Sequence, residues 1–143
     1  MTHHHRGAAL VELALILPLL LLLTFITTEF GRAVYQYNTI AKSMRDAVRY
    51  LSVQTPGTRM TEARNLVVFG NTAGTGTPLA LGLNLTHVAN PTWQVVGSNP
   101  VINTVSITVQ GYTFRPLFAS VIGVNFGNFN FSDISATMRA PGP

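Results

Sequence analysis

The chain has 143 residues, 47% of them hydrophobic and only 10% charged, with no cysteine. That length suits one membrane segment and one modest head, and the missing cysteines exclude a disulfide framework, thiolate metal sites and thiol chemistry. The formal charge is +4, and beyond Glu29 eight cations face three acids, a net near +5. No basic run or aromatic-interleaved patch gathers these cations, so no nucleic-acid partner is expected.

Residues 1–7 form a short basic leader containing Arg6 and the weakly basic His3, His4 and His5. Three adjacent histidines are metal ligands by type, but in such a leader they serve as charge; no metal site and no cofactor is expected. After Gly7 and Ala8 comes a lone Glu12, and from Leu13 to Thr28 there is no charge. About twenty residues from Ala8, at about 1.5 Å rise each, match a hydrocarbon core of about 30 Å. The Leu19 to Leu23 block is apolar on every helical face and has no polar side to turn to water. Each central leucine favours insertion by about half a kcal/mol, together enough to offset one peripheral carboxylate. The expectation is a transmembrane helix over 8–28 in contact with membrane lipid, with a kink at Pro18, whose missing N–H removes one helical bond.

The basic flank keeps the N-terminus cytoplasmic and exports the remainder. A removable secretory signal competes with this reading, since Gly31-Arg32-Ala33 offers a small-x-small site, although Glu29 and Arg32 crowd it. Glu12 has two readings of its own. It snorkels to the headgroups, or, if the chain is cut after Gly7, it lies four residues from the new amine of Ala8. There it faces that amine or a neighbouring subunit's.

From Glu29 the pattern becomes amphipathic. Phe30, Val34, Tyr37, Ala41, Met44, Val48 and Leu51 recur at steps of three and four and form one packing stripe. Glu29 with Arg32, Lys42 with Asp46, and Asp46 with Arg49 stand at pairing distance on the helix surface. No proline intervenes, so this stalk, residues 29–52, continues the membrane helix to a total of roughly 65–70 Å. Gln54-Thr55-Pro56-Gly57 ends it. A second helix is predicted over Arg59–Phe69, capped by Thr58 or Thr61 and closed by Gly70-Asn71. Asn71 to Pro78 reads as a connector, because no Lys-Ser/Thr pair follows its glycines to make a phosphate loop.

The rest of the head, residues 53–143, reads as strand. Trp93–Val96 is short, and Asn103–Gln110 alternates with Val105, Ile107 and Val109 on one face. Leu117–Ile122 is expected as a helical or apolar turn. A final strand over Asn128–Arg139 slips phase at Asp133, which predicts a bulge there. The fold class expected is α+β, a single N-terminal transmembrane helix continuing into a long amphipathic helix packed on a small antiparallel sheet.

No catalytic set is apparent. His87 is the only histidine beyond the leader, and an anchored hydrolase would have to bring it together with Asp133 or Glu62. A basic leader ending in Gly7, four further residues, Glu12 and an apolar helix resembles the type IV prepilin processing signal. The stretch RGAALVELALILPLLLLLTFITTEFGRAVYQYNTIAKSMRDAVRY is, more narrowly, similar to the N-terminal domain of TadE-like proteins. These are minor pilins or pseudopilins of the tight-adherence (Flp) pilus, used in adhesion or secretion. The resemblance implies a pilin-like fold, cleavage after Gly7 by a prepilin peptidase, Ala8 as the new N-terminus, and Glu12 aligning subunits. It also implies partners among Tad/Flp pilins and inner-membrane assembly proteins, placement in the bacterial inner membrane, and no enzymatic activity. Leu13 departs from the family pattern, where an aromatic is commoner, and Ala8 is smaller than usual after the cut. The rival function is a signal-anchored envelope protein whose exported domain binds a ligand or partner without entering a filament.

Overall fold

Helix α1 (His4–Leu51) runs without interruption through the apolar and amphipathic stretches alike, with Pro18 inside it. The computed structural model describes residues 4–118 and 120–141; His3 of the leader and the side chains of His4, His5 and Arg6 lie outside what is described. Between Gly7 and Gly31 the only poor helix former with a backbone consequence is Pro18, and leucine dominates, so local preference and length agree. The hydroxyls of Thr24, Thr27 and Thr28 donate to the carbonyls of Leu20, Leu23 and Thr24 at 2.7–2.8 Å. Each hydroxyl is thus satisfied within the helix, which makes this polar-looking end of the run compatible with an apolar surrounding.

The helix stops where expected. Ser52 N–H still bonds the Val48 carbonyl at 2.8 Å, Gln54 N–H tightens onto Leu51, and Thr58 folds back onto the Thr55 carbonyl through both its N–H and its hydroxyl. Helix α2 (Met60–Phe69) follows. Neither threonine caps it: Arg59 takes the capping position in the left-handed region at φ 55° and makes no side-chain cap bond. Thr58 is unavailable because its hydroxyl is committed to the turn. Gly70 closes α2 at φ 72°, its N–H on the Leu66 carbonyl. A 3₁₀ turn, Leu85–His87, precedes the strands β1 (Thr92–Val96), β2 (Ile102–Val109), β3 (Thr113–Phe114), β4 (Ser120–Val121), β5 (Val124–Asn125), β6 (Phe129–Asn130) and β7 (Ile134–Arg139). All pairs are antiparallel: β1-β2-β7 form one sheet, and β3 with β6 and β4 with β5 form two-stranded ribbons.

Two expectations are corrected here. Of the helical or apolar turn expected over Leu117–Ile122, the helical form is not found where residues 120–125 make the β4–β5 hairpin, with Val121 in a strand and Ile122-Gly123 at positive φ in the turn. The strand expected over Asn128–Arg139 is two strands. The slip at Asp133 marks a change of partner, with β6 on β3 and β7 on β2, and not a bulge within one ladder.

The chain divides into two compact units. One comprises residues through Ala33 together with Pro116–Gly127, and the other comprises Val34–Arg115 together with residues from Asn128. In the second unit Ile40, Met44, Ala47, Val48 and Leu51 of α1 pack in one core with Ala63, Val67 and Val68 of α2 and with Val105, Ile107 and Val109 of β2. Polar groups tie these layers together. Buried Ser43 places its hydroxyl 3.0 Å from the Val67 carbonyl, and Arg64 donates to the carbonyls of Val88 and Leu85 at 3.1 and 2.6 Å. Asn65 reaches the Thr72 carbonyl under the loop at Gly74, where a Cβ would stand 2.7 Å from the Asn65 amide nitrogen. Only glycine fits that left-handed position.

Candidate functional site

The stretch on which sequence reasoning placed function is the first two-thirds of α1. Gly7, Ala8 and Glu12 are exposed in its opening turns, and among the described residues Glu12 has no ion-pair partner. Pro18 is likewise exposed. The most apolar eighteen-residue window of α1 has a mean hydropathy of 2.7, and none of it is buried by the rest of the chain. A core helix of a water-soluble domain would be covered. This one leaves Leu10, Leu15, Leu19 and Leu23 bare, which in water would be a costly apolar surface. Length, composition and exposure together make it long and apolar enough to cross a membrane once.

The packing stripe is displaced from its expected place along half its length. Met44, Val48 and Leu51 are buried as expected, but Phe30 is 70% exposed and Val34 and Tyr37 are exposed as well. In the second unit the buried series instead runs Gln36, Ile40, Ser43 and Met44, Ala47 and Val48, Leu51. In the first unit it includes Glu29 and Ala33, with Leu22 and Phe25 half-buried on the same face. The covered face carries two polar residues and a small one where the hydrophobic neighbours one position on attracted the stripe.

Those polar residues are satisfied. Glu29, 6% exposed, accepts from Arg32 Nη1 at 2.6 Å through Oε2 and from the Leu117 backbone N–H at 3.2 Å through Oε1. Phe25 meets Phe118 edge to face with ring centroids 5.0 Å apart. The 116–127 segment is therefore held on α1 by one aromatic contact and one charge-assisted hydrogen bond about a helical turn further along. In the second unit the buried Tyr112 hydroxyl lies 2.8 Å from Gln36 Oε1 and 2.9 Å from the Leu81 carbonyl. One hydroxyl proton serves one acceptor. With the Gln36 amide turned so that its nitrogen donates to the hydroxyl, all three groups are satisfied. Sequence reasoning missed both anchors; the signal available was a Gln and a Glu at helical spacing on the side of Ala33 and Ile40.

Of the three residues a hydrolase would need, His87 and Glu62 are engaged in other contacts. His87 Nδ1 accepts from the Asn84 N–H at 3.2 Å, and its ring meets Tyr112 edge-on. Glu62 accepts from Arg59 at 2.8 Å, a hydrogen bond that holds its carboxyl below the ordinary value and raises Arg59, while Asp133 is exposed. Among the described residues no group of three or more His, Cys, Asp or Glu comes together. A groove of about 480 Å³ beside α1 is lined by Tyr35, Asn38, Lys42, Asp46, Leu66 and Leu79. Its only titratable side chains in that list beyond Tyr35 are one cation and one carboxylate on successive turns, which is not a catalytic constellation.

No curated protein and no solved structure matches the chain. Residues 7–49 match the sequence model of the family described as TadE-like protein, a range that opens at Gly7 and ends within the last turn of α1. Over that helix, less than half of the chain, the sequence is similar to TadE-like proteins.

Proposed function

We propose that this is a non-enzymatic minor pilin or pseudopilin of a Tad (Flp-type) pilus, matured by cleavage after Gly7 and acting through helix packing in the membrane and at the pilus. The observation that carries the reading is the family match laid over a helix whose apolar half is uncovered. A filament subunit needs such a helix: lipid covers it before assembly and neighbouring helices cover it afterwards. The bond after Gly7 lies in the first turn of α1 as described, where helical bonding is least complete and glycine lowers the cost of opening the segment for a prepilin peptidase. On this reading Glu12 aligns subunits by meeting the amine of Ala8, its own or a neighbour's, and Pro18 sets the bend of the span. The leader stays on the cytoplasmic side of the inner membrane and the sheet-bearing part is exported, by the basic flank. Partners are then the peptidase, other Tad/Flp pilins and the inner-membrane assembly proteins.

The test is the intact mass and N-terminal residue of the protein from native membranes containing the peptidase, beside a Gly7→Ala variant. The expected result is a chain beginning at Ala8, with the variant left uncut. A wild-type chain that keeps its leader would overturn processing and leave a static envelope anchor. A start near Val34 would mean a released secretory protein.

A further inference from the structure

We propose that the segment 116–127, with the β4–β5 hairpin at its centre, is a second membrane-contact element that rests in the acyl–headgroup boundary of the leaflet beside α1. This builds on the reading of α1 as a membrane span. Four observations within the first unit lead to it. From Pro116 to Gly127 the sequence has no charged residue. The segment leaves its apolar side chains outward: Leu117 is 62% and Ile122 56% exposed, with Phe118 and Val124 also exposed. Its attachment places it beside the span, because Phe118 meets Phe25 edge to face, and Phe25 lies inside the uncharged run about 6 Å below Glu29 along the helix axis.

The fourth observation is the turn itself. Ile122 and Gly123 are the two central residues of the hairpin, both at positive φ, 51° and 78°. Such a turn is normally made by Asn-Gly or Asp-Gly; a β-branched residue there is strained. An exposed isoleucine at a position where asparagine costs less has no rationale in water. In an interface it places an apolar tip at the point of deepest reach. The boundary suits the hairpin better than the hydrocarbon centre, since the outward backbone groups of a two-stranded ribbon still require water. Lipid is the occupant because Phe118 joins the exposed apolar patch to the uncovered apolar run of α1 at Phe25. Arg32, paired with Glu29, stands less than one helical turn further from the run.

The absence of cysteine allows single-site labelling of the full chain. Ile122→Cys and Val124→Cys would each carry an environment-sensitive fluorophore in phosphatidylcholine vesicles, with Leu19→Cys as the span control and Val53→Cys as the exposed control. Quenching is read with doxyl-labelled lipid and with aqueous iodide on both faces. The expected result is lipid quenching at positions 122 and 124, with iodide quenching several-fold weaker than at 53 and unchanged as protein is diluted in lipid. Iodide access without lipid quenching at 122 and 124, while Leu19→Cys is lipid-quenched, overturns the proposal and leaves the span intact. Shielding that disappears on dilution overturns it in favour of a second copy of the chain. A Leu19→Cys probe that lipid does not quench removes the span itself, and the hairpin proposal with it.

Discussion

Leu117 donates its backbone N–H to Glu29 Oε1 at 3.2 Å across 88 positions of sequence. This bond, with the Phe25–Phe118 contact, is what makes a compact unit of an apolar helix and a charge-free segment. Arg32 neutralises the same carboxylate from the next turn, so a buried charge becomes an attachment point.

Replacing Glu29 should therefore act on a segment far from it in sequence. Glu29→Ala leaves the Leu117 N–H without its acceptor and Arg32 without its carboxylate, a cost of about 2 kcal/mol. Glu29→Gln keeps an acceptor and loses less. Hydrogen exchange on the full chain in detergent checks this: the amide of Leu117 and those of the hairpin should exchange faster in the alanine variant than in the glutamine variant. Equal protection in all three proteins would show that Glu29 does not hold the segment.

The same residue explains how far the sequence could be read. The long apolar helix, α2 and the β2 alternation were legible, because each rests on a run of side chains of one kind and periodicity reports those directly. The upper half of the stripe was not, because a covered position held by hydrogen bonds is polar and looks like surface. Glu29 and Gln36 sit inward for that reason, while Phe30 and Val34, one position on, face out. The break at Asp133 was visible as a phase slip, yet a slip does not say whether a strand bulges or changes partner. That depends on β3 being present to accept β6, a contact between segments 17 positions apart at Thr113 and Asn130. On the proposed reading Gly7, Ala8 and Glu12 act against a peptidase or a second subunit, so packing within one chain leaves them uninterpreted.

Tyr112→Phe removes the hydroxyl that joins the buried Gln36 amide to the part-buried Leu81 carbonyl and takes a partner from each. The expected loss is about 1–2 kcal/mol of stability. Gln36→Leu alone should lose less, because the hydroxyl keeps the Leu81 carbonyl as its acceptor. The double variant, which removes both side-chain polar groups, should lose less than the sum of the two, a coupling that a double-mutant cycle in denaturant measures. Simple additivity would mean that the two side chains do not share one network.

Acid should weaken the start of α2. The hydrogen bond from Arg59 holds the Glu62 carboxyl below its ordinary value of 4.5, so the stabilisation is complete above the unfolded carboxylate's pKa and fades as pH falls through the lower folded one. Arg59, raised by the same hydrogen bond, stays charged through neutral and moderately alkaline pH and adds no loss there. Both groups are exposed, so the effect is small and screened by salt. Melting temperatures of wild type and Glu62→Gln should differ slightly above about pH 5 and converge toward about pH 3. A gap that persists at the acid end, or in about 1 M salt, would assign it to something other than this pair.

Ile122→Asn separates stability from lipid contact. Asparagine tolerates the left-handed region that isoleucine resists, and Asn-Gly is the preferred pair for a two-residue hairpin with both central residues at positive φ. On local grounds the variant should gain about 1 kcal/mol in the hairpin, read as slower exchange of the β4 and β5 amides in detergent. If the tip rests in lipid, the same change removes an apolar side chain from the boundary. A probe at position 124 in the Ile122→Asn background should then lose lipid quenching relative to Val124→Cys alone. Better protection with weaker quenching is the pattern expected of a residue retained for what it touches. Unchanged quenching in a better-protected hairpin would make Ile122 a strained residue without a lipid role.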